Sequence, residues 1–151
     1  MSIMKCYRIS RWLYLHHLKP LSLLLKGFIR VIFGGVIPPS AQIGEGTFIT
    51  YHGLGVVIHQ SAVIGCNCII RQNVTIAGAT KRDGGAGAPI IGNNVEINTG
   101  AVVVGPITIG NNVRIGANAV VLSNIPDNCT AVGIPAKPVK YNDLKSFHIS
   151  I

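Results

Sequence analysis

Two histidines stand out as candidate chemical groups because the stretch around them is otherwise largely apolar. His52 lies within the run Tyr-His-Gly-Leu-Gly-Val-Val-Ile, and His59 directly follows that run. Since a neutral imidazole accepts a proton near neutral pH, it can activate a weak nucleophile such as a hydroxyl group. His52 is therefore a candidate general base, and His59 is a candidate contact for the molecule that carries the hydroxyl. The alternative for each is a polar side chain on a surface corner.

Other reactive groups are sparse, which excludes several kinds of site. The only closely spaced cysteines are Cys66 and Cys68, and no second pair completes the four ligands of a structural zinc site. With only two histidines in the central part of the chain, we predict no metal site. Glu45 is the only acid between residues 1 and 82, so the sequence does not indicate which group orients His52.

A six-residue period runs through most of the chain and predicts the scaffold that positions these histidines. A small residue follows most of the periodic aliphatic residues after four positions, and glycine often follows them directly. A period of six fits a short strand and a tight corner, and three such units make one turn of a triangular solenoid of about four turns. We expect glycine and asparagine at the corners because they tolerate positive φ. The periodic residues are Ile37, Ile43, Ile49, Ile58, Ile64, Ile70, Ile76, Ile91, Ile97, Val103, Ile109, Ile115 and Val121.

Two insertions interrupt this period. Ile49 and Ile58 are nine residues apart, and the three extra residues fall in the segment that contains His52. Ile76 and Ile91 are fifteen residues apart, which predicts a protruding loop over residues 79–89. Loops that leave a rigid scaffold often carry function, so both insertions are candidate parts of a site.

The overall composition excludes a disordered chain, and its charge is unevenly distributed. The 151 residues are 48% hydrophobic and 12% charged, with a formal net charge of +8. Residues 1–35 contain six bases and no acid, whereas residues 36–151 contain seven bases and five acids. In residues 36–151 the charges nearly balance, and the interleaved aromatic residues of proteins that bind single-stranded nucleic acid are missing. We therefore predict no nucleic-acid partner.

The basic N-terminal segment, residues 1–35, is predicted to be helical. Two short helices, 3–18 and 21–33, are expected to break at Pro20. The apolar run that ends at Phe33 contains Lys26 and Arg30, so it is too short to span a bilayer. A basic segment of this kind suggests contact with an anionic surface, such as the inner face of a membrane, but a solvated helix face is the favoured interpretation. Without a secretory signal we expect a cytoplasmic protein, with peripheral contact on the inner membrane as the second option.

The period Ile/Val-Gly-x-x-small-x over residues 36–140 resembles that of the hexapeptide-repeat acyltransferases. This resemblance implies an all-β fold, a single-stranded left-handed parallel β-helix of about four coils with the short helical segment and the protruding loop. Residues 141–151 would then be a C-terminal tail. The family also implies a homotrimer whose active sites lie between adjacent prisms.

The run around His52 resembles the serine acetyltransferase branch of this family, in which the catalytic histidine precedes a similar Gly-Ile/Val-Val-Ile/Val run. The sequence departs from that branch before Pro89, where Gly87 and Ala88 replace an Arg-His pair, and in its short N-terminal segment. It is more similar to the short O-acetyltransferases of polysaccharide biosynthesis, such as those of colanic acid synthesis. The implied reaction is transfer of acetyl from acetyl-CoA to a sugar hydroxyl of a glycan precursor, with His52 as the base. The alternatives are a serine O-acetyltransferase of cysteine biosynthesis and a non-catalytic β-helix scaffold.

The resemblance also implies which residues bind the two substrates. Tyr51, His59, Arg82 and Asp83 are expected to contact the acceptor. Lys137, in the closing segment Val-Gly-Ile-Pro-Ala-Lys, is expected to meet the nucleotide phosphates as a point charge. The coenzyme is expected to lie against small residues whose backbone it can approach closely. Those residues are Gly78, Ala79, Thr99, Gly100, Ala101, Ala117, Asn118 and Ala119.

Overall fold

The computed structural model describes residues 2–80 and 85–140. Two helices, α1 and α2, precede a succession of short strands, and one 3-10 turn, Tyr51–Gly53, lies among the strands. The helices are α1 (Ile3–Leu15) and α2 (Lys19–Phe33). The strands are β1 (Gln42–Ile43), β2 (Phe48–Ile49), β3 (Val57–Ile58), β4 (Val63–Ile64), β5 (Ile69–Ile70), β6 (Thr75–Ala77), β7 (Ile90–Ile91), β8 (Glu96–Ile97), β9 (Val102–Val104), β10 (Thr108–Ile109), β11 (Arg114–Ile115), β12 (Val120–Val121), β13 (Cys129–Gly133) and β14 (Ala136–Lys140).

The strands form three sheets that run along the three sides of a prism. The first sheet has the order β1-β4-β7-β10, the second β2-β5-β8-β11-β13-β14, and the third β3-β6-β9-β12. Each strand from β1 to β9 pairs in parallel with the strand three places later, so each group of three strands makes one coil. The described chain therefore completes four coils, and the prediction of a left-handed parallel β-helix is confirmed.

The inside of the prism is filled by the periodic aliphatic residues. All thirteen are buried, and so are the small residues four positions after them, from Ala41 to Ala119. Because parallel strands stack about 4.8 Å apart, each aliphatic side chain packs on its equivalent in the next coil. Ile43, Ile64 and Ile91 form one such stack in the first sheet. The core is thus a regular column whose register the period sets.

The glycines that directly follow the periodic residues are required for a reason other than the positive φ that we expected. Gly44, Gly65 and Gly92 do not have positive φ. A Cβ placed on Gly44 would lie 2.5 Å from the carbonyl carbon of Gly65, so glycine is required by the close approach of successive coils. Positive φ is instead carried by a later corner residue, for example Asn67 and Asn94.

Helix α1 closes the exposed edge of the first coil. β1 is an edge strand of the first sheet, and the Tyr7 hydroxyl donates to the Ala41 carbonyl at 2.6 Å and accepts from the Ile43 amide at 3.2 Å. Arg8 donates to the carbonyls of Ile43 and Gly44, and Arg11 to three carbonyls between Pro39 and Ala41. These contacts satisfy groups that an open sheet edge would leave unpaired. Two of the six N-terminal bases therefore serve the fold.

The helix boundaries differ from those predicted. The first helix ends at Leu15, and Pro20 lies within the first turn of α2 rather than between the helices. Proline is favoured there because the first amides of a helix have no intrahelical acceptor. The helices are tied together at Ser10 and Ser22, since each buried hydroxyl donates to the other residue's carbonyl.

At the opposite end, the closing segment extends the second sheet. β13 pairs in parallel with β11, and β14 then folds back on β13 in antiparallel pairing. Lys137 lies opposite Val132 in this hairpin, with its side chain exposed. Within the described residues, no helix is long and apolar enough to cross a membrane.

Candidate active site

His52 lies in the insertion at the corner between the second and third sheets in the first coil, which we call the His52 corner (residues 50–56). Tyr51, His52 and Gly53 have φ of 47°, 55° and 80°, so three consecutive residues are left-handed. This conformation is unfavourable for residues with a Cβ and persists only where the surrounding structure enforces it. Ile3 of α1 supplies part of that constraint: Gly53 is buried, and a Cβ there would overlap the Ile3 side chain. Helix α1 therefore packs against the turn and supports it.

The imidazole of His52 is exposed and stacks on an aromatic ring from α2. The ring centroids of His52 and Phe33 are 6.2 Å apart, with 27° between the ring planes. The side chain lines a groove of about 270 Å³ together with Tyr51 and residues of α1 and β2. Among the described residues, no group hydrogen-bonds to this imidazole, and Glu45 forms no ion pair with it. The ring is held by stacking, and its nitrogens are open to a ligand.

The later coils repeat the same corner in a regular form. Gly55, Asn73, Gly100 and Asn118 follow one another along the prism edge, each with positive φ. Their close stacking leaves no space for a Cβ on Gly100, where it would overlap the Asn118 side chain. Among the expected coenzyme contacts, Thr99, Gly100, Ala117 and Asn118 therefore lie on the edge that carries His52.

Two of the expected coenzyme contacts are core residues. Ala101 and Ala119 are buried, so their side chains face the inside of the prism. The Ala101 carbonyl accepts from the Thr75 amide, and the Ala119 carbonyl accepts from the Val102 amide. Both carbonyls are thus engaged in hydrogen bonds between coils. Contacts with a coenzyme on this edge must therefore come from the residues that precede Ala101 and Ala119.

His59 lies in a second groove, at the corner between the third and first sheets. This groove of about 330 Å³ is also lined by Lys26 of α2 and by Gly78. The Ser61 amide donates to Nδ1 of His59 at 3.2 Å, which places the ring proton of the neutral tautomer on Nε2. A Cβ on Gly78 would lie 2.8 Å from Nε2 of His59, so the position of the histidine ring leaves no space for a side chain at residue 78.

The expected loop begins at this second groove. Ala79 and Gly87 form an antiparallel bridge through two backbone hydrogen bonds, of 2.8 and 3.1 Å, which closes the base of the insertion. Arg82 and Asp83, expected to contact the acceptor, lie outside the described residues.

Within one chain, the structure separates the two histidines that the sequence suggested would contact the same acceptor. His52 precedes β3 and His59 follows it, so they occupy opposite corners of the third sheet and line different grooves. Tyr51 remains with His52, whereas Gly78 and Ala79 belong with His59. Within one chain, these five residues thus form two clusters on the two edges of one side of the prism.

Phe33 is a site residue that the sequence did not indicate. It looked like the last residue of an apolar helix, and its position over His52 depends on how α2 folds back onto the first coil. A possible signal was the glycine pair that follows it, since Gly34 ends α2 in the left-handed conformation and turns the chain toward the prism.

The sequence and fold of this chain are similar to those of known proteins. The profile of the family described as "Bacterial transferase hexapeptide (six repeats)" matches residues 88–123. A serine acetyltransferase of Helicobacter pylori strain J99 is 43% identical over 134 residues, which cover 89% of this chain and 77% of that protein. A serine acetyltransferase of Synechococcus elongatus is 45% identical over 134 residues, covering 89% of this chain and 54% of that protein.

A solved structure of similar shape is titled as a serine acetyltransferase in complex with CoA. It superposes with a TM-score of 0.81 at 36% identity, covering 91% of this chain and 55% of that one. The chain thus spans about half the length of the Synechococcus relative and of this solved chain.

Proposed function

The chain belongs to the serine acetyltransferase family of hexapeptide-repeat proteins, and we propose that it transfers an acetyl group from acetyl-CoA to a hydroxyl group, with serine as the first candidate acceptor. The observation that carries the proposal is His52 itself. Its imidazole is exposed in a groove, is fixed by a strained turn and a stacked ring, and has no hydrogen-bond partner among the described residues. A side chain that served only the fold would not require such support.

In the proposed reaction, a nitrogen of His52 accepts the proton of the acceptor hydroxyl. The hydroxyl oxygen attacks the carbonyl carbon of the thioester, and the resulting tetrahedral intermediate collapses with cleavage of the C–S bond. The imidazolium then returns its proton to the departing thiolate, so the products are an acetyl ester and free coenzyme A. The left-handed backbone at residue 52 directs the ring into the groove. It thereby positions the imidazole rather than activating it.

The coenzyme is proposed to lie along the edge that carries His52. Thr99, Gly100, Ala117 and Asn118 form a column there that presents little side-chain bulk. Glycine and small corner residues allow a long, thin ligand to approach the backbone closely. Lys137 stays a proposal as a phosphate contact, supported by its exposed position on β14.

Serine is the first candidate acceptor because the relatives that cover most of this chain are named serine acetyltransferases. A sugar hydroxyl is the second candidate, and the lining of the His52 groove favours it. The described lining contains no carboxylate, lysine or arginine; it consists of Ser2, Ile3, Met4, Phe48, Ile49, Tyr51 and His52. A zwitterionic amino acid requires charged partners, whereas a neutral sugar does not.

We also propose that the active unit is a homotrimer in which the two edges of the third sheet meet between subunits. Phe48, Leu54 and Val57 expose apolar side chains beside His52, which a neighbouring prism would cover. Such packing brings the His52 edge of one subunit near the His59 edge of the next. His59, Gly78 and Ala79 would then contact the acceptor or the coenzyme across the boundary. Cytoplasmic location likewise stays a proposal.

Release of the coenzyme A thiol tests this function and separates the acceptors. Purified protein is incubated with acetyl-CoA and either serine or a panel of nucleotide sugars, and the acetylated product is identified by mass spectrometry. Turnover with serine supports the first candidate, and turnover with a sugar alone supports the second. If no acceptor raises thiol release above that of the His52→Asn variant, the proposed activity is wrong.

A further inference from the structure

The outward face of α2 is apolar and uncovered. Leu24 is 70% exposed and Val31 is 82% exposed, although helix α2 packs on the rest of the protein through Ser22 and Ile29. We define the outer face of α2 by five exposed apolar residues at helical spacing. These residues are Leu21, Leu24, Phe28, Val31 and Ile32. Leu23 is also exposed but lies on the flank that carries Lys19 and Lys26. A helix that is apolar on both its inner and outer sides is normally covered on both.

Bases lie along one flank of this helix, where Lys19 and Arg30 are exposed and Lys26 is half-buried beside the groove of His59. Lys19, Lys26 and Arg30 follow one another at helical spacing, and no ion pair among the described residues involves them. They differ in this from Arg8 and Arg11, whose guanidinium groups donate to carbonyls of the first coil. The free bases of the N-terminal segment therefore accompany its exposed apolar face.

We propose that the outer face of α2 docks on an anionic lipid surface, with the helix lying in the plane of the membrane interface. The five residues of that face carry only hydrocarbon, so insertion among acyl chains leaves none of their side chains without a hydrogen-bond partner. Lys19 and Arg30, the exposed bases, reach anionic headgroups, because their long stems lie along apolar surface while the charge stays in water.

The charge distribution favours lipid over a second copy of this chain. Residues 1–35 contain six bases and no acid, and the first acid of the sequence is Glu45. Packing two outer faces together would bring like charges into proximity without a carboxylate to pair with them. An anionic surface matches both features of the helix, the hydrocarbon face and the basic flank.

Vesicle flotation of the full chain tests this proposal. We expect the protein to float with vesicles of phosphatidylcholine and phosphatidylglycerol at low salt, and to bind vesicles of phosphatidylcholine alone much more weakly. The variant Leu24→Gln/Val31→Gln should lose affinity for anionic vesicles by about tenfold or more, since it removes buried hydrocarbon. Arg30→Gln should lose about fivefold, and added salt should reduce that difference.

Matched controls separate docking from unfolding and from acetyl transfer. Leu122→Gln changes an exposed leucine outside the helices and should float like the unchanged protein. Glutamine is a good helix former, so the Leu24→Gln/Val31→Gln variant should keep its circular dichroism and its acetyl-CoA turnover without vesicles. Absence of flotation, or equal flotation of that variant, would overturn the proposal. A smaller mass of the variant in sedimentation would overturn it too, because the face would then join copies of the chain.

Discussion

The corner between the second and third sheets occurs in every coil, but in the first coil it has a different structure. In the later coils it is a tight turn with one left-handed residue, Asn73, Gly100 or Asn118, stacked on its equivalents. In the first coil the same corner holds an insertion with consecutive left-handed residues at Tyr51, His52 and Gly53. The first corner is therefore the only one of the four in the described chain that projects a histidine from the edge.

The difference shows how a repetitive scaffold acquires a site. Stacked corners are rigid because each one is limited by the next, so they offer uniform edges on which a long ligand can lie. The inserted corner keeps that stacking through Gly55, but its left-handed residues Tyr51 to Gly53 depend on neighbours from outside the repeat. Ile3 packs against Gly53, and the Phe33 ring stacks on His52. Chemistry is placed where the repeat is broken, and the N-terminal helices stabilise the break.

The largest expected effect comes from removing the base at the inserted corner. His52→Asn should lower kcat by about 10²- to 10⁴-fold, the range for loss of a general base, while asparagine tolerates the left-handed backbone. His17→Asn is the matched control, because His17 is also an exposed histidine with positive φ, at 63°. It should keep full activity. Steady-state thiol release measures both, and equal rates for the two variants would contradict the assignment.

Adjacent isoleucines in the regular part test whether the stack supports stability alone. Ile91 is 2% exposed and its neighbour Ile90 is 53% exposed. Ile91→Ala should lower the free energy of unfolding by about 2 to 5 kcal/mol, because it leaves a cavity between coils. Ile90→Ala should cost less than about 1 kcal/mol. Urea unfolding compares them, and similar losses would mean that the two sides of the strand do not differ as described.

Tyr7 tests the helix that closes the first coil. Tyr7→Phe should cost about 1 to 3 kcal/mol, because the Ile43 amide loses its acceptor. Burial raises the pKa of Tyr7 above its usual 10.0, although Arg11 opposes the shift. The unfolded chain thus releases this proton first, so the stabilisation is complete below pH 10 and is lost as pH rises further. Urea unfolding near neutral pH and above pH 10 should show a smaller alkaline loss in Tyr7→Phe.

A smaller effect is expected where the helix meets the inserted corner. Phe33→Ala should lower kcat about tenfold with little change in KM, because the His52 ring loses the surface that orients it. Phe33→Trp should restore most of the rate, since a larger ring preserves stacking. Ile32→Ala, at the exposed neighbouring position, is the control and should be neutral without lipid. A loss of stability with unchanged kcat would make Phe33 a structural residue only.

The coiled architecture could be predicted from the sequence because its cause is local and repeated. Each periodic residue, such as Ile64 or Ile97, faces the same environment, so one rule places all of them. The N-terminal closure could not be predicted, since Tyr7 and Arg11 meet carbonyls about thirty residues further along the chain. A basic residue looks the same in sequence whether it faces solvent or caps a strand edge.

For the candidate site, the insertion indicated His52, but not what surrounds it. The sequence suggested that His59 contacts the same acceptor, and within one chain the structure places the two histidines at opposite corners of the third sheet. They are separated because one six-residue unit of the repeat carries the chain from one prism edge to the next. Phe33 was missed for the opposite reason: it is distant in sequence and adjacent in space.

Chemical rescue tests most directly whether the imidazole of residue 52 accepts the proton. His52→Gly keeps a backbone suited to positive φ and leaves space for a free ring beside Phe33. The account predicts that this variant loses nearly all thiol release and that added imidazole restores a substantial part of it, in proportion to its concentration. Substantial turnover by His52→Gly without imidazole would contradict the account.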